Sequence, residues 1–272
     1  MFKGIICTCH LLLFDCSLNA RFNSIINDFQ LCFHLDISHI SKIQFDFCLS
    51  SILSLASFQS RLHALHISND ETYGAIACFL RQYYHLTLPS LRSLVLIDAN
   101  TQQIKSLLVR FASSLEQLTI ITNRTIDMND KRWICQMLLQ QPLLRSCRLS
   151  LCDGIDCDEN LCHHPTVGNQ LENFIIDLSY FQNILTLLSS IPHVKRLTIN
   201  LNQQKYYHQD YDAAAFDTIR LSIPSQLTYF NLNLRFSNVQ FEHIEQLLTC
   251  LIHLKHLCCS SFRVELVSIA RM

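Results

Sequence analysis

Apolar residues recur along this chain in one short pattern, which has an apolar residue at its first, fourth and sixth positions. We call the pattern the strand cassette and number its positions from the first apolar residue. Successive copies begin from 22 residues apart (Ile40 to Leu62) to 33 residues apart (Val194 to Leu227). Positions four and six fall on one face of a short strand, so each copy predicts a strand with one buried face. The copies are Ile40-Ile43-Phe45, Leu62-Leu65-Ile67, Leu91-Leu94-Leu96, Leu115-Leu118-Ile120, Leu144-Cys147-Leu149, Leu171-Phe174-Ile176, Val194-Leu197-Ile199, Leu227-Phe230-Leu232 and Leu254-Leu257-Cys259.

A second phrase lies between the cassettes and has apolar residues at i, i+3 and i+4. This spacing makes one apolar stripe on a helix. In three copies the next cassette begins ten residues after the isoleucine, as from Ile134 to Leu144. Strand and helix signals that keep register predict an α/β repeat. The copies are Ile76-Phe79-Leu80, Ile104-Leu107-Leu108, Ile134-Met137-Leu138, Ile184-Leu187-Leu188 and Ile244-Leu247-Leu248.

The cassette, spelled L-x-x-L-x-L with a period in the twenties, resembles the leucine-rich repeat. The resemblance implies an α/β solenoid, or horseshoe, with a parallel sheet on the concave side and helices on the convex side. Each repeat then depends on its neighbours to bury its apolar faces. We expect about eight or nine repeats in residues 39–272. At the ninth cassette position, Asp70, Asn123 and Asn202 are expected to satisfy backbone groups where each strand ends.

The composition excludes some classes of binding partner and favours certain cellular compartments. The formal net charge of −1 gives no electrostatic footprint for nucleic acid or for an acidic membrane surface. No apolar run reaches the length of a membrane span. The 14 cysteines are scattered, and several replace apolar cassette residues, as Cys147 does. These features predict a cytoplasmic or nuclear protein that binds neither nucleic acid nor membranes.

Residues 17–37 resemble the C-terminal half of an F-box. The C-terminal half of an F-box has a helix with the motif S-L-V-x-[K/R]-[R/A]-[F/W]-x-x-[L/I]. An apolar segment that ends in L-D-[L/I] follows this helix. Leu35-Asp36-Ile37 corresponds to that ending. The resemblance assigns adaptor binding to the residues on the matching helix positions, namely Leu18, Arg21, Phe22, Ile25 and Ile26.

F-box proteins with C-terminal leucine-rich repeats are substrate receptors of cullin-type ubiquitin ligases. The resemblance therefore implies a Skp-type adaptor and an unknown protein substrate as partners, and a helical F-box-like cap over residues 1–38. The L-P-x-E/D phrase that opens an F-box has no counterpart before Ser17. Either the N-terminus is truncated or the adaptor surface has been lost. Two alternatives stay open: residues 17–37 simply cap the solenoid, and the chain is a free-standing interaction scaffold with no ubiquitin-ligase role.

Motifs for catalysis are missing from the sequence, which contains no nucleophile elbow, phosphate-binding glycine loop or dinucleotide fingerprint. We expect a protein that is not an enzyme and has no cofactor. One group of metal-ligand types occurs, formed by Cys152, Cys157, Cys162, His163 and His164. Its spacing differs from the common zinc patterns, so we expect an ordinary polar loop with no metal.

The expected contact surface is the concave strand face, which carries cassette positions three, five and seven. An apolar centre with polar neighbours along these positions suits a protein partner. The alternative is that β-branched residues there merely favour strands. The predicted contact residues are His66, Val95, Ile97, Ile121, Arg148, Ile175, Asp177, Arg196, Asn200, Tyr229, Asn231 and Asn233.

Overall fold

The computed structural model describes residues 32–53, 56–70, 72–82, 88–157, 170–202, 224–234, 239 and 241–261. The strands are β1 Phe33–Asp36, β2 Leu62–Ser68, β3 Ser93–Ile97, β4 Gln117–Thr122, β5 Ser146–Leu151, β6 Asn173–Leu178, β7 Arg196–Leu201, β8 Tyr229–Leu234 and β9 His256–Ser261. The α-helices are α1 Lys42–Phe47, α2 Ala56–Gln59, α3 Ala75–Gln82, α4 Thr101–Phe111, α5 Met128–Leu139, α6 Asn183–Ser190 and α7 Phe241–Cys250. Described helices lie in six of the eight intervals between consecutive strands, and the β5–β6 and β7–β8 intervals contain residues outside the described ranges.

The chain divides into two compact units. The described residues up to Ile126, together with Gln141–Ser146, form the first unit, and Asp127–Gln140 with the described residues from Cys147 onward form the second. In the first unit β1 to β4 lie side by side in chain order, and each adjacent pair is parallel. In the second unit β5 to β9 also follow in chain order, with the pairs from β6 to β9 parallel. The predicted α/β arrangement with parallel strands is therefore confirmed.

The core is built from the two repeating phrases. Every cassette residue from Leu62 to Leu232 is at most 3% exposed, which confirms seven of the predicted strands. Neighbouring cassettes pair in register, so Leu94 lies opposite Leu118 and Leu197 opposite Phe230. The helix phrase also falls on helices, and in α4 all three of its residues, Ile104, Leu107 and Leu108, are buried. Burying these aligned apolar stripes is the main stabilising contribution.

One backbone junction recurs where the strands begin. The carbonyl at the second cassette position accepts hydrogen bonds from two consecutive N–H groups of the next repeat. The Lys195 carbonyl, for example, accepts from the N–H groups of Thr228 and Tyr229 at 3.0 and 3.1 Å. The carbonyls of Arg92, Glu116, Glu172 and Thr228 do the same. Cassette positions three, five and seven form aligned rows across β2 to β4 and across β6 to β9, and a hydrogen bond between Ser150 and Asp177 joins the position-seven residues of β5 and β6.

The prediction of a strand at Ile40-Ile43-Phe45 is wrong. Ser41 and Gln44 form a capping box, because the Ser41 N–H donates to Gln44 Oε1 at 2.9 Å and the Gln44 N–H donates to Ser41 Oγ at 3.4 Å. This arrangement starts helix α1 at Lys42. Ile43 is then 83% exposed, while Phe45 is buried. The first described strand is instead β1, which comes before this segment and pairs with β2.

The last cassette forms its strand but is not buried as predicted. Leu257 is 46% exposed, and Cys259 is also exposed. Within the described residues, β9 has a strand neighbour on one side and is followed by no helix. Among the described residues no further repeat covers β9, and repeats of this kind bury their apolar faces against their neighbours.

The expected role of Asp70 at the end of β2 is also wrong, because Asn69 performs it. Asn69 Nδ2 donates to the Asp98 carbonyl at 3.0 Å and to Gln103 Oε1 at 3.2 Å, and its Oδ1 accepts from the Ile76 N–H at 3.1 Å. Asp70 is exposed. A single buried amide thus links the ends of β2 and β3 to the starts of α3 and α4.

A tight turn after β5 is held by a buried lysine. Lys131 of α5 is 3% exposed, and its Nζ donates to the carbonyls of Cys152 and Gly154 at 2.5 and 2.8 Å. Burial lowers the pKa of Lys131, although the charge of Asp153 opposes that change. Gly154 has a φ of +71°, and a Cβ there would lie 2.5 Å from the Leu178 carbonyl carbon. The turn therefore requires glycine at this position.

None of the described helices is both long enough and apolar enough to span a membrane. The predicted boundary between residues 38 and 39 stays a prediction.

Candidate functional site

The side chains at cassette positions three, five and seven form what we call the open face of each unit. In β3, Leu94 and Leu96 are buried, whereas Ser93, Val95 and Ile97 are partly exposed. The same alternation runs through β4, β7 and β8. All twelve predicted contact residues lie on these open faces, and only Asp177 among them is buried.

The open face of the first unit carries an apolar patch among polar residues. Val95, Ile97 and Ile121 are each partly exposed, and Ile97 pairs with Ile121 in the register of β3 and β4. His66 lies opposite Val95 on β2. These partly exposed branched side chains form an apolar patch, which suits contact with apolar side chains of a protein partner.

His66 also pairs with an aspartate at the edge of this patch. Its Nδ1 lies 3.1 Å from Oδ2 of Asp36, the residue opposite it on β1. Burial opposes ionisation of Asp36, but hydrogen bonds from the Ser38 N–H and hydroxyl and the charge of His66 outweigh it, so the pKa of Asp36 is lowered. The His66 Nε2 atom is buried and has no hydrogen-bond partner in the described residues. The ring is thus positioned by Asp36 alone among these residues.

The open face of the second unit carries a continuous row of hydrogen bonds at cassette position seven, which we call the polar ladder. Asp177, its second member in chain order, is 6% exposed. Ser150 Oγ donates to Asp177 Oδ2 and Asn200 Nδ2 donates to Asp177 Oδ1, both at 2.6 Å. Asn233 Nδ2 donates to Asn200 Oδ1 at 2.7 Å, and Ser260 Oγ donates to Asn233 Oδ1 at 2.5 Å. The ladder therefore crosses β5 to β9, and both carboxylate oxygens of Asp177 have a donor.

A second row, at cassette position three, combines a cation with aromatic rings. The guanidinium carbon of Arg196 lies 4.9 Å from the centroid of the Tyr229 ring. The His256 ring follows on β9, with its centroid 6.5 Å from that of Tyr229. The Tyr229 hydroxyl donates to Cys258 Sγ at 4.0 Å, and this contact is the main cause that raises the pKa of Tyr229. Stacked arginine and tyrosine side chains are frequent anchors in protein interfaces.

The position-five row lies between these two rows and is the most varied of the three. Arg148 on β5 is exposed, while Ile175 on β6 and Asn231 on β8 are partly exposed. In the register of β7 and β8, Asn231 pairs with Thr198. The open face of the second unit is therefore polar and hydrogen-bonding, in contrast to the apolar patch of the first unit.

Two sets of predicted residues lie outside the described part of the chain. The first is the adaptor-binding set Leu18, Arg21, Phe22, Ile25 and Ile26. The second is Cys162, His163 and His164 of the considered zinc cluster. Of its remaining members, Cys157 is buried and Cys152 partly exposed. In the ranges that are described, no group of three or more histidine, cysteine or acidic side chains is arranged to hold a metal ion.

Sequence analysis missed two residues of the polar ladder, Ser150 and Ser260, and also missed Asp36 as the partner of His66. A signal for the ladder was present, since position seven carries a small polar residue in each of the last five cassettes. Aligning that column would have indicated a hydrogen-bonded row. A signal for Asp36 was also present, because Cys32, Leu35 and Ile37 have the spacing of cassette positions one, four and six, which places Asp36 at position five opposite His66.

Comparison with known proteins adds no name to this site. No protein-family model matches the sequence. A search of curated proteins finds no matching relative.

Proposed function

We propose that this chain is a non-catalytic protein-binding subunit built on a leucine-rich-repeat solenoid. In this proposal the parallel strands form the concave side of a horseshoe, the helices form its convex side, and the open faces contact a substrate protein. An F-box-like segment at residues 17–37 attaches the chain to a Skp-type adaptor of a cullin-type ubiquitin ligase in the cytoplasm or nucleus.

One observation carries the proposal. Each of the five copies of the helix phrase lies on a helix between two strand cassettes, and most of the described strands bury one face while leaving the other open. An uncovered strand face repeated along a chain offers a long surface for another macromolecule. The adaptor part rests only on the resemblance of residues 17–37 to an F-box.

Adaptor binding can be tested with the full chain co-expressed with a Skp-type adaptor and analysed by size-exclusion chromatography. We expect the native chain to co-elute with the adaptor and Phe22→Asp to abolish co-elution. The matched control is Ile43→Asp, since Ile43 is 83% exposed on α1 and lies outside the F-box-like segment. A folded native chain that fails to bind the adaptor would leave the free-standing scaffold as the better account.

Substrate binding is tested separately on the apolar patch. We expect Ile97→Asp to lose the proteins that the native chain retains in quantitative affinity purification with mass spectrometry. Val109→Asp is the matched control, because Val109 is 69% exposed on α4 rather than on the open face. Equal retention by the two variants would contradict a contact role for the open face of the first unit.

A further inference from the structure

We propose that the open face of the second unit binds an extended acidic segment of the partner protein, with Arg148 and Arg196 pairing with its carboxylates. This inference rests on the proposed function and specifies the chemistry of the segment that this face would hold.

The exposed charges on this face are positive. Along β5 to β9, the positions of the open face carry the charged residues Arg148, Asp177 and Arg196, together with His256. Asp177 is buried, and both of its carboxylate oxygens accept hydrogen bonds within the polar ladder. Arg148 and Arg196 are exposed and make no ion pair or hydrogen bond with the described residues. The charge that this face presents to solvent is therefore positive, and it complements a carboxylate.

The position of Arg196 over an aromatic ring suits the binding of a carboxylate. Its guanidinium lies over the Tyr229 ring at 4.9 Å, and stacking on a ring leaves the N–H groups at the edge of the guanidinium able to donate. A planar guanidinium offers two parallel donors to one carboxylate. Since the ring already restrains this side chain, binding costs less conformational freedom than it would for a solvated arginine.

The spacing of the two arginines suits an extended peptide. Arg148 lies on β5 at position five and Arg196 on β7 at position three, with β6 between the two strands. With strands about 4.8 Å apart and residues about 3.3 Å apart along a strand, the two Cα atoms are separated by roughly 12 Å. An extended peptide covers that span in about four residues, and side chains four residues apart project from the same side. The geometry therefore favours two acidic residues about four positions apart.

The polar ladder contributes a flat hydrogen-bonding surface beside the two arginines. Each asparagine of the ladder uses one of its two amide hydrogens in the ladder itself. The other hydrogen of Asn200 and Asn233 can donate to the backbone carbonyls of a bound segment. Ile175, between the two arginines, supplies an apolar contact for the stem of a glutamate side chain.

The probe is a short rhodamine-labelled peptide with two glutamates about four residues apart, and its control replaces both glutamates by glutamine. Binding to the full chain is measured by fluorescence anisotropy. We expect the glutamate peptide to bind in a salt-sensitive manner. Arg148→Gln and Arg196→Gln should each weaken binding roughly tenfold, the usual contribution of a charge-assisted hydrogen bond.

The matched control variant is Arg145→Gln, which removes the same charge from an exposed arginine at cassette position two, off the open face. It should leave the affinity unchanged. Tyr229→Leu should weaken binding while Tyr229→Phe, which keeps the ring, should not. Circular dichroism confirms that each variant is folded.

Three results would overturn the inference: no binding by the folded native chain, equal binding of the two peptides, or full binding by a variant that lacks both arginines. The inference would also be overturned if the chain bound a single-stranded RNA more tightly than the glutamate peptide when the two carry a similar negative charge. Co-elution with the adaptor separates a failure of this inference from a failure of the proposed function. If the adaptor binds and the peptide does not, only this inference fails; if the peptide binds and the adaptor does not, the link to a ubiquitin ligase fails instead.

Discussion

Nδ2 of Asn200 lies 2.6 Å from Oδ1 of Asp177 and donates a hydrogen bond to it across two parallel strands. Asp177 is buried, so its carboxylate depends on this donor and on Ser150 for the hydrogen bonds that water would otherwise supply. Asp177 and Asn200 therefore stabilise the fold and also form part of the open face.

Replacing Asn200 by alanine should destabilise the protein. The change leaves Asp177 Oδ1 without its donor and Asn233 Nδ2 without its acceptor. An unsatisfied buried group costs about 1–3 kcal/mol, so the urea midpoint should fall measurably. Asn231→Ala is the control, because Asn231 lies on the same face but makes no side-chain hydrogen bond with the described residues. It should change the free energy of unfolding by no more than about 0.5 kcal/mol. Equal effects of the two variants would show that the ladder contributes nothing to stability.

Acidification should remove stability that depends on Asp36. The pKa of this residue in the folded protein is below its ordinary value of 3.8, because hydrogen bonds from Ser38 and the charge of His66 outweigh the effect of burial. A lowered folded pKa means that the unfolded state binds more protons as the pH falls. The stabilisation is therefore present above pH 3.8 and is lost as the pH drops through the lower folded value.

The measurement is the urea midpoint of the native chain and of Asp36→Asn between about pH 6 and pH 2. The difference between the two proteins should shrink as the pH falls. Ser38→Ala keeps the backbone donor and removes the hydroxyl donor, so it should show an intermediate pH dependence. A difference that stays constant over this range would contradict the lowered pKa.

Gly154→Ala should be more disruptive than Gly74→Ala. Both glycines have positive φ, +71° and +78°, so each substitution carries the cost of a left-handed alanine, about 1–2 kcal/mol. Only at Gly154 would the new Cβ also meet backbone atoms of Leu178 and Ser179 within 3 Å, since nothing lies within 4 Å at Gly74. Thermal melting should therefore show a clearly larger loss for Gly154→Ala. Similar losses at both sites would mean that the turn after β5 shifts without cost.

Much of the fold was predictable because the signals are local. The cassettes from Leu62 to Leu232 and the helix phrases needed only spacing and side-chain type, and their burial follows the predicted alternation. The error at Ile40-Ile43-Phe45 came from giving the apolar spacing more weight than Ser41 and Gln44. Those two residues form a capping box, which starts a helix and so sets the local conformation.

The candidate site was less predictable, because its chemistry depends on residues far apart in the chain. The side of the strand on which Asp177 and Asn200 lie follows from alternation, but the burial of Asp177 depends on Ser150 and Asn200 from the neighbouring strands. At the end of β2, the choice between Asn69 and Asp70 depended on the positions of α3 and α4. Pairing across repeats is a tertiary property that spacing alone does not contain.

The polar ladder also has a direction. Ser260, Asn233 and Asn200 each donate toward β5, and the series ends on the two oxygens of Asp177. A repeat gained by duplication between β7 and β8 would preserve the series only with a side chain at its seventh position that both donates and accepts. An inserted repeat with asparagine or serine at that position would continue the series, whereas a leucine there would separate Asn200 from Asn233 and leave Asp177 with its two donors, Asn200 and Ser150.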